Sequence, residues 1–286
     1  MTTDEKLAAI LAAVQTDPGN RGLARDPEDN LFTATKGDFQ RACARVSKSG
    51  RASIRTGFYI PSASHFETDG PLGAFFIERA LAKCGILVIT TCTEPPLRDA
   101  LRAARSIFNI TIEFTHTREV CIPEIWIERT GPANDGKYYT MRGNDTSSFI
   151  HPEIPKRNDS PFSGPTIGIG DGGNEIGMGK IPHETIVKNI PNGDLIHCRV
   201  PTDHLIVAGV SNWGAYALAA GIFVLKGITP PDDLFDPDRE REILEVMVKA
   251  GPLVDGVTGR QEGTVDGLTW EEYVKPLVRI RDILAS

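Results

Sequence analysis

The segment best suited to chemistry is rich in glycine and carries two carboxylates. Residues 167–180 read IGIGDGGNEIGMGK, with five glycines between positions 168 and 177. Because glycine costs backbone entropy on folding, this density after a short apolar run indicates that main-chain N–H groups approach a ligand closely. Asp171 and Glu175 add carboxylates beside those N–H groups, which points to proton transfer or a bridging cation. The alternative interpretation is a tight structural turn.

A second segment places acidic side chains after another strand-like run. Thr56 lies near the end of that run, and Glu67, Asp69 and Gly70 lie in the polar loop before the next helix-like run. We expect the two carboxylates to face the same crevice as the glycine-rich segment. The alternative is that Asp69 only caps the helix.

Two later segments have the same form. Ser211 and Asn212 follow an apolar run and begin a helix-like run, so their hydroxyl and amide could orient a substrate carboxylate or simply cap the helix. Asp255 and Thr258 lie among Asp-Gly turns. Ordinary turn chemistry explains such residues, although their polar groups could also close one side of a pocket.

The elements that must position these segments alternate along the chain. Hydrophobic periodicity predicts strands at 52–60, 86–91, 109–115, 124–129, 166–170 and 205–210, and helices at 3–15, 38–47, 71–84, 97–106, 212–225, 239–249 and 269–284. Such alternation predicts an α/β fold with a mainly parallel sheet and helices on both faces. The strand at 86–91 is continuously apolar, which predicts burial on both faces.

No repeat or linker divides the sequence, so we predict a single compact domain over residues 1–286. In open α/β sheets, ligands bind beyond the carboxyl ends of the strands, where the glycine-rich turn would lie. Residues 151–165 contain four prolines and predict a long loop, either a lid or a plain surface connection.

Composition excludes several classes of protein. Apolar residues make up 40% and charged residues 24% of the 286 residues, as in water-soluble globular proteins. The net charge is −7 with no basic block, so we expect no nucleic-acid partner. The uncharged stretch 205–225 is split by SNWG, which favours a buried strand and helix over a membrane span. Five cysteines without a C-x-x-C pair, and an N-terminus without a secretory signal, favour a cytoplasmic protein with reduced thiols.

Taken together, these segments resemble the D-glutamate cyclase family. The resemblance rests on TGF at 56–58, ETDGPLGA at 67–74, GDGGNEIGMG at 170–179, AGVSNWG at 208–214 and VDGVTG at 254–259. The motifs follow the order of the family and span residues 21–267. Only the GDGGNE segment is specific by itself.

The resemblance implies a hydro-lyase of D-amino acid metabolism that converts D-glutamate to 5-oxo-D-proline and water, with a small amino acid as its partner. Residue chemistry then suggests roles for the acids. Asp171 or Glu175 would be the base for the substrate ammonium, and Glu67 or Asp69 the proton donor if burial or like charge raises its pKa. The N–H groups of Gly172 and Gly173 suit an oxyanion. The predicted substrate-binding residues are Thr56, Gly70, Gly172, Gly173, Asn174, Ser211, Asn212, Asp255 and Thr258.

Two other classes of function stay open. The GDGGNE segment is similar to the magnesium-binding GDGxND loop of haloacid-dehalogenase-type phosphatases, but no D-x-D-x-T nucleophile motif precedes residue 169. The similarity leaves open a divalent cation at Asp171 and Glu175. A non-catalytic amino-acid-binding domain is the third class, and the sequence also leaves a homo-oligomer open.

Overall fold

A five-stranded parallel sheet forms the centre of the molecule. The computed structural model describes residues 1–108, 122–155 and 163–286. The sheet order is β4-β1-β5-β6-β7, with β1 at Arg51–Gly57, β4 at Leu87–Thr90, β5 at Glu124–Arg129, β6 at Thr166–Gly170 and β7 at His204–Val207. Every described pairing in it is parallel. After β1 the chain makes a small antiparallel hairpin of β2 (Tyr59–Ile60) and β3 (His65–Phe66).

Helices surround the sheet. They are α1 Thr3–Val14, α2 Leu31–Ala34, α3 Asp38–Ser47, α4 Pro71–Lys83, α5 Pro95–Ile107, α6 His183–Asn189, α7 Gly193–Ile196, α8 Ser211–Lys226, α9 Pro237–Ala250, α10 Trp270–Tyr273 and α11 Lys275–Ala285. Both α4 and α5 begin with proline, whose missing N–H would be unpaired in the first turn anyway. The apolar helix α8 is buried along most of its length because α1, α3, α4 and α11 pack around it.

Hydrophobic side chains fill both faces of the sheet. Along β7, Ile206 belongs to the main core with α1, α3, α4, α5, α8, α9 and α11, whereas Leu205 and Val207 belong to a smaller cluster with α6 and α7. Successive side chains of a strand point to opposite faces, so this division places helices on both sides of the sheet. The predicted α/β class with a parallel sheet is therefore confirmed.

Most of the predicted elements are confirmed, and β5 and β6 coincide with their predicted bounds. The uncharged stretch 205–225 forms β7 and α8 inside the core, as predicted. Within the described ranges, no helix combines the length and the apolar character needed to span a bilayer. The predicted strand at 109–115 lies outside the described residues, as does the central part of the loop at 151–165.

Two details of the prediction were wrong. The strand at 86–91 is not buried on both faces, because β4 pairs only with β1 within the described chain and Leu87 is 54% exposed. The predicted helix at 269–284 is two helices, α10 and α11. Pro276, near the start of α11, has no N–H to continue the hydrogen bonding of α10.

Candidate active site

A cavity lies where the carboxyl ends of β1, β5 and β6 meet. Its volume is about 120 Å³, and it is partly open to solvent. Four carboxyl groups line it, from Glu67, Glu128, Asp171 and Asp266. The position agrees with the rule that α/β sheets bind ligands beyond the carboxyl ends of their strands.

Glu67 lines the cavity without a hydrogen-bond donor. Its backbone N–H donates to the Phe58 carbonyl, and it pairs with Val254 in an isolated bridge, which fixes the loop after β3. Its carboxyl is 5% exposed, and no described residue donates a hydrogen bond to it. Burial raises the pKa of Glu67 well above its ordinary value, and nearby negative charges, such as that of Asp266, add to the rise. Its surroundings therefore favour the protonated form of Glu67.

Asp69 and Asn212 cap each other's helices. The Asp69 carboxylate accepts the N–H groups of Ser211 at 2.9 Å and Asn212 at 2.8 Å, at the start of α8. The Asn212 side-chain oxygen accepts the N–H groups of Gly70 at 2.9 Å and Gly73 at 2.7 Å, at the start of α4. Burial raises the pKa of Asp69 to about 7, against the effect of the two N–H groups it accepts. These contacts hold both helix starts behind the cavity.

Glu128 enters the cavity through a β-bulge. In the pairing of β5 with β1, Ile127 and Arg129 have partners but Glu128 between them is skipped. Glu128 takes a positive φ of 44°. Bulges redirect side chains, and a positive φ is uncommon outside glycine. The Ser211 hydroxyl donates to Glu128 at 2.5 Å. Burial raises the pKa of Glu128 well above its ordinary value, and the charge of Asp171 adds to the rise.

Arg21 supplies positive charge to the acids. Its guanidinium contacts Asp171 at 2.8 Å and Asp266 at 2.9 Å, and also donates to the Gly209 carbonyl at 3.1 Å. Burial disfavours the Arg21 cation, but the two carboxylates outweigh this effect and raise its pKa. Burial also raises the pKa of Asp171, although Arg21 opposes the rise. Arg21 contacts two of the four acids, Asp171 and Asp266, so the mutual repulsion of the acids favours protonation of some of them or binding of a further cation.

Glu175 fastens the glycine-rich loop. Its two carboxylate oxygens accept the N–H of Asp171 at 3.0 Å and of Gly173 at 2.7 Å. The Asn174 amide donates to the Tyr139 carbonyl at 2.7 Å. Of the two N–H groups predicted for an oxyanion, that of Gly173 is therefore occupied. The N–H of Gly172 has no acceptor within the described part of the chain.

Two glycines of the glycine-rich segment are needed because one backbone segment packs directly against another there. A Cβ at Gly168 would lie 2.7 Å from the Ile176 carbonyl and 2.9 Å from the Gly177 Cα. Real Cβ atoms do not approach so closely, so the segment after the loop can return across β6 only if both positions are glycine. Folding thus explains these two glycines, contrary to our expectation that the whole run faces a ligand.

Comparison with known proteins places the chain in a family. The family described as "D-glutamate cyclase-like, C-terminal" matches residues 10–281. The chain belongs to this family. It is also similar to "D-glutamate cyclase, mitochondrial" of Homo sapiens, with 28% identity over an alignment 352 positions long that covers 98% of this chain and 52% of the human protein. The chain thus spans about half the length of this curated relative, which is a named enzyme.

The family motifs fall into cavity-lining and supporting residues. Of the predicted catalytic acids, Glu67 and Asp171 line the cavity, whereas Asp69 and Glu175 bind main-chain N–H groups behind it. Sequence analysis missed Arg21, Glu128 and Asp266. A signal for Glu128 was present, since it is a charged residue at the carboxyl end of an apolar strand.

Other predicted binding residues of this cyclase-family chain lie outside the cavity lining. Asp255 accepts hydrogen bonds from the N–H groups of Val257, Thr258 and Gly267 and from the Thr264 hydroxyl, so it organises its own loop. Thr258 is exposed. The Thr56 hydroxyl and the Asn174 side-chain oxygen are buried without partners in the described structure.

Two groups of carboxylates have the geometry to hold a cation. In the described part of the chain, the first group is Asp69, Asp171 and Asp266, and the second is Glu128, Asp171 and Glu175. In each group the ligand atoms lie within 4.8 Å of one another. Carboxylate oxygens suit magnesium, calcium or manganese. Arg21 contacts two members of the first group, Asp171 and Asp266, but only Asp171 of the second. The second group therefore fits a divalent ion better. That group contains both acids for which the sequence left a cation open.

Proposed function

We propose that this chain cyclises D-glutamate to 5-oxo-D-proline with release of water, a hydro-lyase reaction. The observation that carries the proposal is the cavity of this family member. In it, four carboxyl groups line a space of about 120 Å³, and the Arg21 guanidinium contacts two of them. A cationic ammonium group entering this space would relieve the repulsion among the acids.

The reaction requires transfer of two protons from nitrogen to oxygen. The ammonium loses two protons as it becomes the lactam N–H, and one oxygen of the γ-carboxylate takes up two protons to leave as water. One C–N bond forms, one C–O bond breaks, and no proton is gained or lost overall. Groups that both accept and donate protons near neutral pH suit this transfer.

Residues of the cavity fit distinct steps of this transfer. Asp171 contacts Arg21 at 2.8 Å, and this cation opposes the rise that burial causes in the pKa of Asp171, so Asp171 is our candidate to accept a proton from the ammonium. The raised pKa of Glu67 favours its protonated form, which would donate a proton to the leaving oxygen. Glu128, also of raised pKa, would carry the second proton. Gly172 is not part of the cavity lining, but it directly follows Asp171, and its N–H, which has no acceptor in the described part of the chain, is our candidate donor to the tetrahedral oxyanion.

The decisive experiment is incubation of the purified protein with D- and L-glutamate, followed by chiral chromatography for 5-oxoproline. We expect 5-oxo-D-proline from D-glutamate. No product from either isomer would contradict the proposal, and binding without turnover would favour an amino-acid-binding domain. Phosphate release from sugar phosphates would favour the phosphatase alternative.

A parallel incubation with a chelator tests the cation. If an ion at Glu128, Asp171 and Glu175 takes part in catalysis, the chelator abolishes turnover and added magnesium or manganese restores it. Unchanged turnover after chelation would exclude a catalytic role for a removable ion.

A further inference from the structure

The cavity has a second wall of different charge, formed by a small hairpin at residues 138–146. Tyr139 and Asp145 form an isolated antiparallel β-bridge between their backbones, and Gly143 takes a positive φ of 79° at the turn. The tip of this hairpin brings Thr140, Met141, Arg142 and Asn144 to the cavity. The hairpin faces the acids with one cation and two polar side chains.

Arg142 has no carboxylate partner in the described part of the chain. Among the described residues, its guanidinium donates only to the Val257 carbonyl, at 3.4 Å. The other cation of the cavity, Arg21, is already held by Asp171 and Asp266. An anion could therefore bind Arg142 without displacing an ion pair.

The residues that the sequence suggested for a substrate carboxylate are already engaged elsewhere. The Ser211 hydroxyl donates to Glu128, and the Asn212 side chain binds the N–H groups of Gly70 and Gly73. Neither Ser211 nor Asn212 lines the cavity. The polar residues of the hairpin are therefore better candidates for binding an anionic group of the substrate.

We propose that Arg142, with Thr140 and Asn144 beside it, binds the α-carboxylate of the substrate. The inference rests on the cyclase function proposed above. In that reaction the amine and the γ-carboxyl group react and must face the acids, whereas the α-carboxylate is unchanged in the product. The acids repel an α-carboxylate and Arg142 attracts it, so the two walls fix the orientation of the substrate. The site then selects α-amino acids that have a free α-carboxylate and a γ-carboxyl group.

The test compares D-glutamate with its α-amide, which can form the same ring but has no α-carboxylate. For Arg142→Gln we expect kcat/KM on D-glutamate to fall about 10- to 100-fold, mainly through KM, because a charge-assisted contact is lost. The same variant should turn over the α-amide as the wild type does. Arg142→Lys should recover part of the loss, since it keeps the charge but not the planar guanidinium. Arg102→Gln, at an exposed arginine of α5, is the matched control and should change neither substrate.

An equal loss on both substrates, or no loss on D-glutamate, would overturn the role of Arg142. If the wild type produces no 5-oxoproline, the proposed function fails, and the role of Arg142 is then decided by calorimetry. Weaker binding of D-glutamate by Arg142→Gln, with unchanged binding of the α-amide, would support it. No difference between the two ligands, or no binding by the wild type, would contradict it.

Discussion

The two glutamates of the family motifs have opposite surroundings at the level of single residues. Glu175 accepts two main-chain N–H groups of its own loop, from Asp171 and Gly173. Glu67 faces the cavity, and no described residue donates to its carboxyl. A buried acid without donors favours its protonated form, while an acid that organises backbone N–H groups is part of the structure. Substitution of each by glutamine separates these roles.

Glu67→Gln should leave the fold intact and remove activity. Glutamine has nearly the shape of a protonated glutamic acid but cannot donate a proton to a leaving oxygen. We expect kcat to fall about 10²- to 10⁴-fold, the usual contribution of a general acid. The free energy of unfolding at neutral pH should stay the same or rise, because a buried acid is removed. Product chromatography and urea unfolding measure the two effects, and a kcat near that of the wild type would exclude Glu67 as the donor.

Glu175→Gln should instead destabilise the protein. The amide nitrogen is a donor, so it would oppose the N–H of either Asp171 or Gly173 inside the loop. We expect a loss of about 1–3 kcal/mol in the free energy of unfolding, as for a buried donor left without its acceptor. Glu184→Gln, at an exposed residue of α6, is the control and should have no measurable effect. Equal stability of the two variants in urea would show that Glu175 does not fasten the loop.

At the level of elements, the sequence predicts where strands end but not how their ends meet. The bounds of β5 and β6 followed from short segments of five to six residues that contain isoleucine and, in β5, tryptophan. The place of Glu128 depends on a bulge that exists only when β5 pairs with β1. Arg21 reaches Asp171 across 150 positions of sequence, and no local pattern reports such a contact. Sequence reasoning therefore found two of the four acids that line the cavity, Glu67 and Asp171.

The reciprocal caps of α4 and α8 predict that Asn212 holds two elements at once. Asn212→Ala removes the acceptor of the Gly73 N–H and one of the two acceptors of the Gly70 N–H, which also donates to the Asp69 carboxylate at 3.0 Å. We expect a loss of about 1–3 kcal/mol in the free energy of unfolding, from the lost cap and the unpaired N–H of Gly73. Activity should fall as well, because Glu67 lies in the loop that leads into α4. Asn134→Ala, at an exposed asparagine, serves as the control in the same urea titration. A stable, fully active Asn212→Ala protein would contradict this role.

At the scale of the whole molecule, surface and interior acids respond to pH in opposite ways. At the surface, a hydrogen bond from Lys188 lowers the pKa of Asp26 to about 2, and contacts with Ser147 lower that of Asp145 to about 2. These two stabilise the fold above about pH 4, the ordinary aspartate pKa, and that effect is lost as pH falls toward 2. The acids of the cavity have raised pKa values, so their effect has the opposite sign.

The unfolding free energy of the unliganded protein should therefore fall as pH rises from about 5 to 8. Burial raises the pKa of Asp69 to about 7, and it raises those of Glu67 and Glu128 well above their ordinary values. At a pH between the pKa of the unfolded state and that of the folded state, each such group is protonated only in the folded state. Over this range, each group stabilises the unfolded state relative to the folded state by about 1.4 kcal/mol per pH unit. Their stabilising effect is complete below about pH 4 and is lost as pH rises toward the folded pKa values. Urea unfolding at intervals from pH 4 to 9 measures how steeply the unfolding free energy falls with pH. Glu128→Gln should reduce this slope by the contribution of about one titrating group. A stability that is flat or rises over pH 5–8 would show that the acids ionise in the folded protein as they do in water.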